Sequence, residues 1–284
     1  MREITFGLPL SVERGWRPVR KALVVSTLLV FPAWAQSWSA SGARLDELVI
    51  GIRAADYRGD RGELRRLSAA LEGVTDPGLS AYRLYWQGFA MWRRALNGFN
   101  ETPVPADLRD DLNGAVQSFR AALAERPGWI EARIGIVGCL SNQLFLSMED
   151  QARTREVLAE YVPVMKEMVS QGAENPRALW LIGGTELGAP PPYGGDAAKA
   201  AATLRRGLEA ARREALEGGP LPAHVPSWGG AENLMSLAYL YSHSALEDRA
   251  LALAYAEATL TLVPHWRYVS DVLLPQIKAL DAPR

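Results

Sequence analysis

The sequence predicts an all-α chain of consecutive antiparallel helical pairs, and three observations carry that prediction. Apolar residues recur at helical spacing along nearly every segment beyond the first forty residues, and alternating β-branched runs are absent. Asp-Pro, Asn-Pro and Gly-Gly punctuation falls between segments of helix length. On this basis helices are expected at 41–55, 60–73, 77–97, 106–126, 128–147, 149–171, 175–187, 196–217, 229–244, 247–263 and 265–280.

The first two segments, residues 41–73, read as a divergent hairpin that caps the stack. Asp76-Pro77 opens the third, whose Tyr82, Tyr85, Trp86, Phe89 and Trp92 cover more of the helix than one apolar face can hold. In the fourth, Ala115, Phe119, Ala122 and Pro127 keep the spacing A-x3-F-x2-A-x4-P. Small residues there let two helices approach, Phe fills the gap between neighbouring pairs, and Pro starts the next helix. The fifth contains the apolar run Ile134 to Leu140 with Cys139, the only cysteine, which reads as a buried hydrophobe and excludes an intramolecular disulfide. Ser147-x-x-Asp150 reads as a capping box for the sixth.

Asn175-Pro176 caps and opens the seventh helix, and Pro190-Pro191-Pro192 ends it. Gly194-Gly195-Asp196 then turns the chain and caps the eighth. Free amides at that helix start could instead hold an anion, but Asp196 brings its own negative charge and no phosphate-loop sequence is present. The reading is therefore a structural corner, with Lys199 facing solvent. Leu234, Leu237, Ala238 and Tyr241 define the ninth helix, and Ala252, Ala256, Thr259 and Pro264 repeat the spacing of the fourth in the tenth. Trp266, Val269, Val272, Leu273 and Ile277 mark a terminal cap that Pro275 should kink or end.

These spacings resemble the tetratricopeptide repeat. The second-helix signature is clear at residues 115–127, weaker at 252–264, and reduced to Ala200, Leu204 and Gly207 in a third copy. The W-x2-L-G-x2-Y half is similar to Leu234-Leu237-Ala238-Tyr241, and more loosely to Trp180-Gly184-Leu187 and Leu84-Gly88-Met91. The resemblance covers about residues 77–280 and implies a right-handed superhelical stack of antiparallel hairpins, a TPR-like α-solenoid, whose first helices line a concave groove. It implies Tyr85, Trp92, Trp180, Glu186, Asn233, Tyr239 and His243 as groove residues. Two departures are the connections lengthened by NGFNETPVPAD and GAPPPYGGD; a third is the lack of a partner motif for 149–171. Exported bacterial members of the superfamily share an NPR-x-L start, a GG turn followed by K-A, and a later W-G. That likeness implies that Tyr193 and Trp228 pack together as one corner.

The N-terminus reads as an address. Arg17, Arg20 and Lys21 precede the apolar run Ala22 to Phe31 and then Ala33-Trp34-Ala35, the pattern of a signal peptide cut after Ala35. The run is shorter than the ~20 residues of a membrane span and contains Pro32, so no integral span is expected after cleavage. No cysteine follows the cut, which argues against a lipoprotein. Losing residues 1–35 takes five basic and two acidic groups from the chain's 31 and 32, leaving a formal charge of −4 and one domain, residues 36–284. That balance argues against nucleic acid.

Catalytic and metal-binding patterns are absent from the sequence. The histidines His224, His243 and His265 form no i,i+3 or i,i+4 pair, and no G-x-S-x-G elbow is present. A carboxylate pair such as Glu186 with Glu232 would be needed for an enzyme. The expectation is a non-enzymatic module without cofactor, binding a protein or peptide partner in the periplasm or envelope. The alternative is an accessory holding a small organic ligand for an uptake system, which a closed aromatic cavity would favour.

Overall fold

The computed structural model describes residues 40–99, 101 and 105–280. The expected signal segment lies outside the described residues, as does part of the NGFNETPVPAD insertion. Among the described residues the chain is helical throughout, without strands: α1 (Ala40–Tyr57), α2 (Arg61–Ala70), α3 (Ser80–Gly98), α4 (Pro105–Glu125), α5 (Ile130–Leu146), α6 (Gln151–Gln171), α7 (Pro176–Gly188), α8 (Ala197–Glu217), α9 (Gly230–His243), α10 (Arg249–Leu262) and α11 (Leu274–Ala279).

Each odd-numbered helix pairs with the one that follows it, and each even-numbered helix also packs on the next odd one. The helices α1, α3, α5, α7 and α9 touch in succession and form an inner layer. Missing side chains make this nesting possible. A Cβ on Gly88 would lie 3.1 Å from the Phe119 ring, and one on Gly135 only 2.4 Å from it. Phe119 on α4 thus fills the gap between α3 and α5, as the repeat spacing predicted.

The caps follow the sequence closely. Asp76, Asn175 and Asp196 each accept hydrogen bonds from the amides of the turn that they open. One expected capping box is wrong: Asp150, not Ser147, caps α6, accepting from Ala152 N at 3.1 Å and Arg153 N at 3.0 Å. The Ser147 hydroxyl instead donates back to the Gln143 carbonyl and ends α5. Pro275 does not end its helix, which runs on to Ala279. It has no N–H to give one turn back, so the backbone widens into a π segment, Tyr268–Leu273, in which Leu274 N reaches Val269 O five residues away, and the helix continues.

The largest departure from an open solenoid is on the inner side. The α8–α9 connection, residues 218–229, runs across the inner layer and buries Trp228 to 2% exposure. Upstream in that segment, His224 donates its backbone N–H to Asp46 Oδ1 (2.7 Å), while its carbonyl accepts from Trp86 Nε1 (2.8 Å). The end of α1 also meets the C-terminal repeats: Tyr57 donates to Glu232 Oε1 at 2.9 Å and its ring lies 4.9 Å from that of Trp266. Hence α1 does more than cap the first end of the stack.

Candidate functional site

The motifs NPR, GG and WG assemble around the start of α7. Asn175 caps the helix through Oδ1 and donates from Nδ2 to Glu131 at 2.7 Å. Buried Arg177 spans Glu131, both oxygens of Glu214, and the carbonyl of Trp228, each at 2.9–3.0 Å. Burial raises the Glu131 carboxyl above its usual range, against the opposing pull of Arg177. Gly229 has φ +117°, a conformation that favours glycine, and a Cβ there would press on Arg177 at 3.1 Å. Asn233 closes the knot, donating to Pro176 O at 2.9 Å and Gly229 O at 2.7 Å. This clamp fixes the backbone on both sides of Trp228.

Trp228 then fills the inner wall. Its Nε1 donates to the Tyr85 hydroxyl at 2.9 Å, and its ring centroid lies 5.5–5.9 Å from those of Phe89, Trp92 and Trp180. Tyr193 is not its partner: it is 82% exposed, so the expected Tyr193–Trp228 corner does not form. The WG residues dock on α3 and α7, at a distance from the GG turn.

That turn is a built corner. Gly194 has φ +90°, and a Cβ on Gly195 would stand 1.7 Å from Ala189 O. Asp196 accepts from the amides of Ala198 and Lys199 at 2.8 and 3.0 Å, so these two donors are already engaged. Lys199 is exposed as expected and pairs with Glu186 at 3.0 Å.

Beside the corner opens a cleft of about 780 Å³. Its walls come from four inner helices: Trp92 and Leu96 on α3, Gly138 and Asn142 on α5, Trp180 and Gly184 on α7, Met235 and Tyr239 on α9. His243 and the corner residues Gly195 and Asp196 form its rim. Both indole N–H groups are satisfied from within the wall, Trp92 by Asn142 Oδ1 and Trp180 by Ser236 Oγ, each at 2.9 Å. The rings therefore need no polar partner from an occupant. Tyr239 and His243, one turn apart, stack nearly parallel with centroids 4.4 Å apart.

Of the seven expected groove residues, Trp180, Tyr239 and His243 meet at the cleft, and Trp92 lies just beneath its surface, as buried as Tyr85 at 1% exposure. Tyr85 and Asn233 are corrections, since both are fully covered, one by Trp228 and the other inside the Arg177 clamp. Glu186 is nearly buried and turned to Lys199. It does not meet Glu232, which accepts from Tyr57 OH and from Gly229 N (2.8 Å) in a separate network with Arg93. Sequence reasoning missed Asn142, Met235 and Ser236. Asn142 had a signal: it lies within SNQ, a polar interruption of an otherwise apolar helix.

The histidines stand apart. His224 binds Asp46, His265 meets the edge of Tyr57 with centroids 6.4 Å apart, and His243 alone faces the cleft. Burial raises the Cys139 thiol well above its usual range. Among the described residues no helix is long and apolar enough to cross a membrane.

No protein-family model matches the chain, and no curated protein sequence matches it significantly. Two solved structures share its fold. The HusA haemophore from Porphyromonas gingivalis superposes with a TM-score of 0.57 at 17% identity, over 78% of this chain and 96% of that one. A thermophilic tetratricopeptide-repeat protein of Thermus thermophilus superposes with a TM-score of 0.54 at 16% identity, over 84% and 99%. The hairpin order, the Phe119 joint and these neighbours agree: the chain has the tetratricopeptide-repeat-like fold, an all-α solenoid.

Proposed function

We propose that the protein is a non-enzymatic binding module of the periplasm or cell envelope, and that its cleft holds a flat, largely apolar small molecule of the tetrapyrrole class. One observation carries the reading. Residues 218–229 cover part of the inner wall through Trp228, and beside it an open cleft remains, bordered by Trp180 and Tyr239 with Trp92 buried beneath its surface. Its size falls within the ~300–1,000 Å³ usual for small-molecule pockets. The Trp180 indole, its N–H already satisfied by Ser236, favours an apolar ring system packed on its exposed part. The structural neighbour described as a haemophore supports the same class. An accessory of an uptake system fits this reading better than a peptide clamp does.

Titration of the full chain with metal-free protoporphyrin IX tests it. Saturable quenching of tryptophan fluorescence is expected, from Trp92 and Trp180. The Gly184→Trp variant should bind at least tenfold more weakly, because nothing lies within 4 Å of a Cβ at 184 and the indole has open space to enter. An absence of saturable binding, or a variant that binds like the parent, would refute the reading.

The protein-partner reading keeps one observation of its own. Helix α6 leaves Leu158, Val162 and Val169 exposed on the outer layer, and such a surface suits a partner in the envelope. Co-purification with the Val162→Glu variant tests it: an unchanged partner list removes α6 from consideration.

A further inference from the structure

The tautomer of His243 follows from its neighbours. Ser242 Oγ lies 2.9 Å from the carbonyl of Ala238 and 3.0 Å from that of Tyr239, and a carbonyl can only accept. The single hydroxyl proton of Ser242 is therefore spent on this pair. His243 Nδ1 stands 2.7 Å from the same Oγ and 3.3 Å from Tyr239 O, so Nδ1 must be the donor in both contacts. In the neutral ring the proton therefore sits on Nδ1, and Nε2 keeps its lone pair. This is the arrangement by which proteins prepare a histidine to bind a metal: one nitrogen held by a hydrogen bond, the other left as ligand.

The ring is also held in orientation. It lies at 7° to the Tyr239 ring, on the last turn of α9, at the rim of the cleft. Neither of the other histidines offers this. His224 Nδ1 is bound to Asp46 at 2.8 Å, and His265 does not line the cleft.

We propose that His243 is an axial ligand, giving Nε2 to the metal of a metallated tetrapyrrole held in the cleft. The inference rests on the cleft reading above and narrows its ligand from tetrapyrroles in general to those carrying iron or another imidazole-binding metal. No electron transfer is involved: Nε2 donates a lone pair to an open coordination position and no proton leaves the ring. Ser242 acts as a positioning residue through Nδ1.

Parallel titrations with ferric haemin and with metal-free protoporphyrin IX test the proposal, using the full chain and its His243→Ala variant. The parent complex with haemin should show the visible spectrum of nitrogen ligation. In the variant, haemin affinity should fall at least tenfold while protoporphyrin IX affinity changes less than twofold, and added imidazole should restore the spectrum. Equal losses for both compounds would mean that His243 only packs, and no loss for either would mean that it does not touch the ligand; each overturns the proposal and leaves the cleft reading standing. A parent protein that binds neither compound overturns both.

Discussion

The glycines of the cleft allow a sharp test of its geometry, because two of them sit in helix interiors on opposite terms. Gly138 on α5 backs onto Trp92: a Cβ there would lie 2.2 Å from Cζ2, 2.7 Å from Cη2 and 2.8 Å from Cε2. The indole would have to retreat by roughly 1.3 Å to reach ordinary carbon contact. Its surroundings resist. Phe89, Phe119, Trp180 and Trp228 enclose it at centroid distances of 5.9–6.4 Å, and its N–H is tied to Asn142. Overpacking of this kind costs about 1–3 kcal/mol, and the upper end applies to a rigid ring with no free side. The helix gains about 1 kcal/mol from replacing glycine with alanine. The net for Gly138→Ala is a loss of about 2 kcal/mol, or a fall in Tm of about 4–8 °C for a domain of this size. Gly184 on α7 faces the same cleft with nothing within 4 Å of its Cβ. Gly184→Ala should therefore gain about 1 kcal/mol and raise Tm by about 2–4 °C. Denaturant unfolding with unchanged m values, alongside thermal melts, measures both. Two stabilised variants, or a reversed order, would refute the packing of Trp92 against α5.

Two further outcomes separate the closed inner wall from its exposed corner and the buried thiol from a reactive one. Trp228→Ala should cost about 3–5 kcal/mol, as for a large buried aromatic, while Tyr193→Ala should stay within about 0.5 kcal/mol; comparable losses in denaturant unfolding would restore the Tyr193–Trp228 corner. Cys139 is fully buried and its thiol is raised by burial, so iodoacetamide should label it only after unfolding, and rapid labelling of the native protein would contradict its position.

Most of the fold was legible because its determinants are local. Helix spacing, the caps at Asp76, Asn175 and Asp196, and the small-large-small pattern around Phe119 each act within a few residues or between adjacent helices. The misreadings have local causes too. Ser147-x-x-Asp150 satisfies the letter of a capping box, but Asp150 is nearer the helix and its carboxylate reaches both first-turn amides. Pro275 breaks a helix only where the missing N–H cannot be bypassed, and a π segment bypasses it.

The site was less legible because it is defined by what covers the inner wall. Residues 218–229, GGPLPAHVPSWG, carry prolines and glycines and no helical periodicity. Their role depends on partners far away in sequence: Asp46 for His224, Tyr85 for the Trp228 indole, Arg177 for its carbonyl. No spacing rule reports such pairs. The groove residues divide accordingly. Tyr85 occupies an inner helix as expected and is sealed by a tryptophan 143 positions downstream, whereas Trp92, on the same helix two turns later, also borders the part that the loop leaves open. A helical repeat can therefore announce its inner wall in sequence while a single unpatterned connection decides how much of that wall can bind. In this chain that connection covers part of the inner wall, and the clamp of Arg177, Gly229 and Asn233 holds it in place.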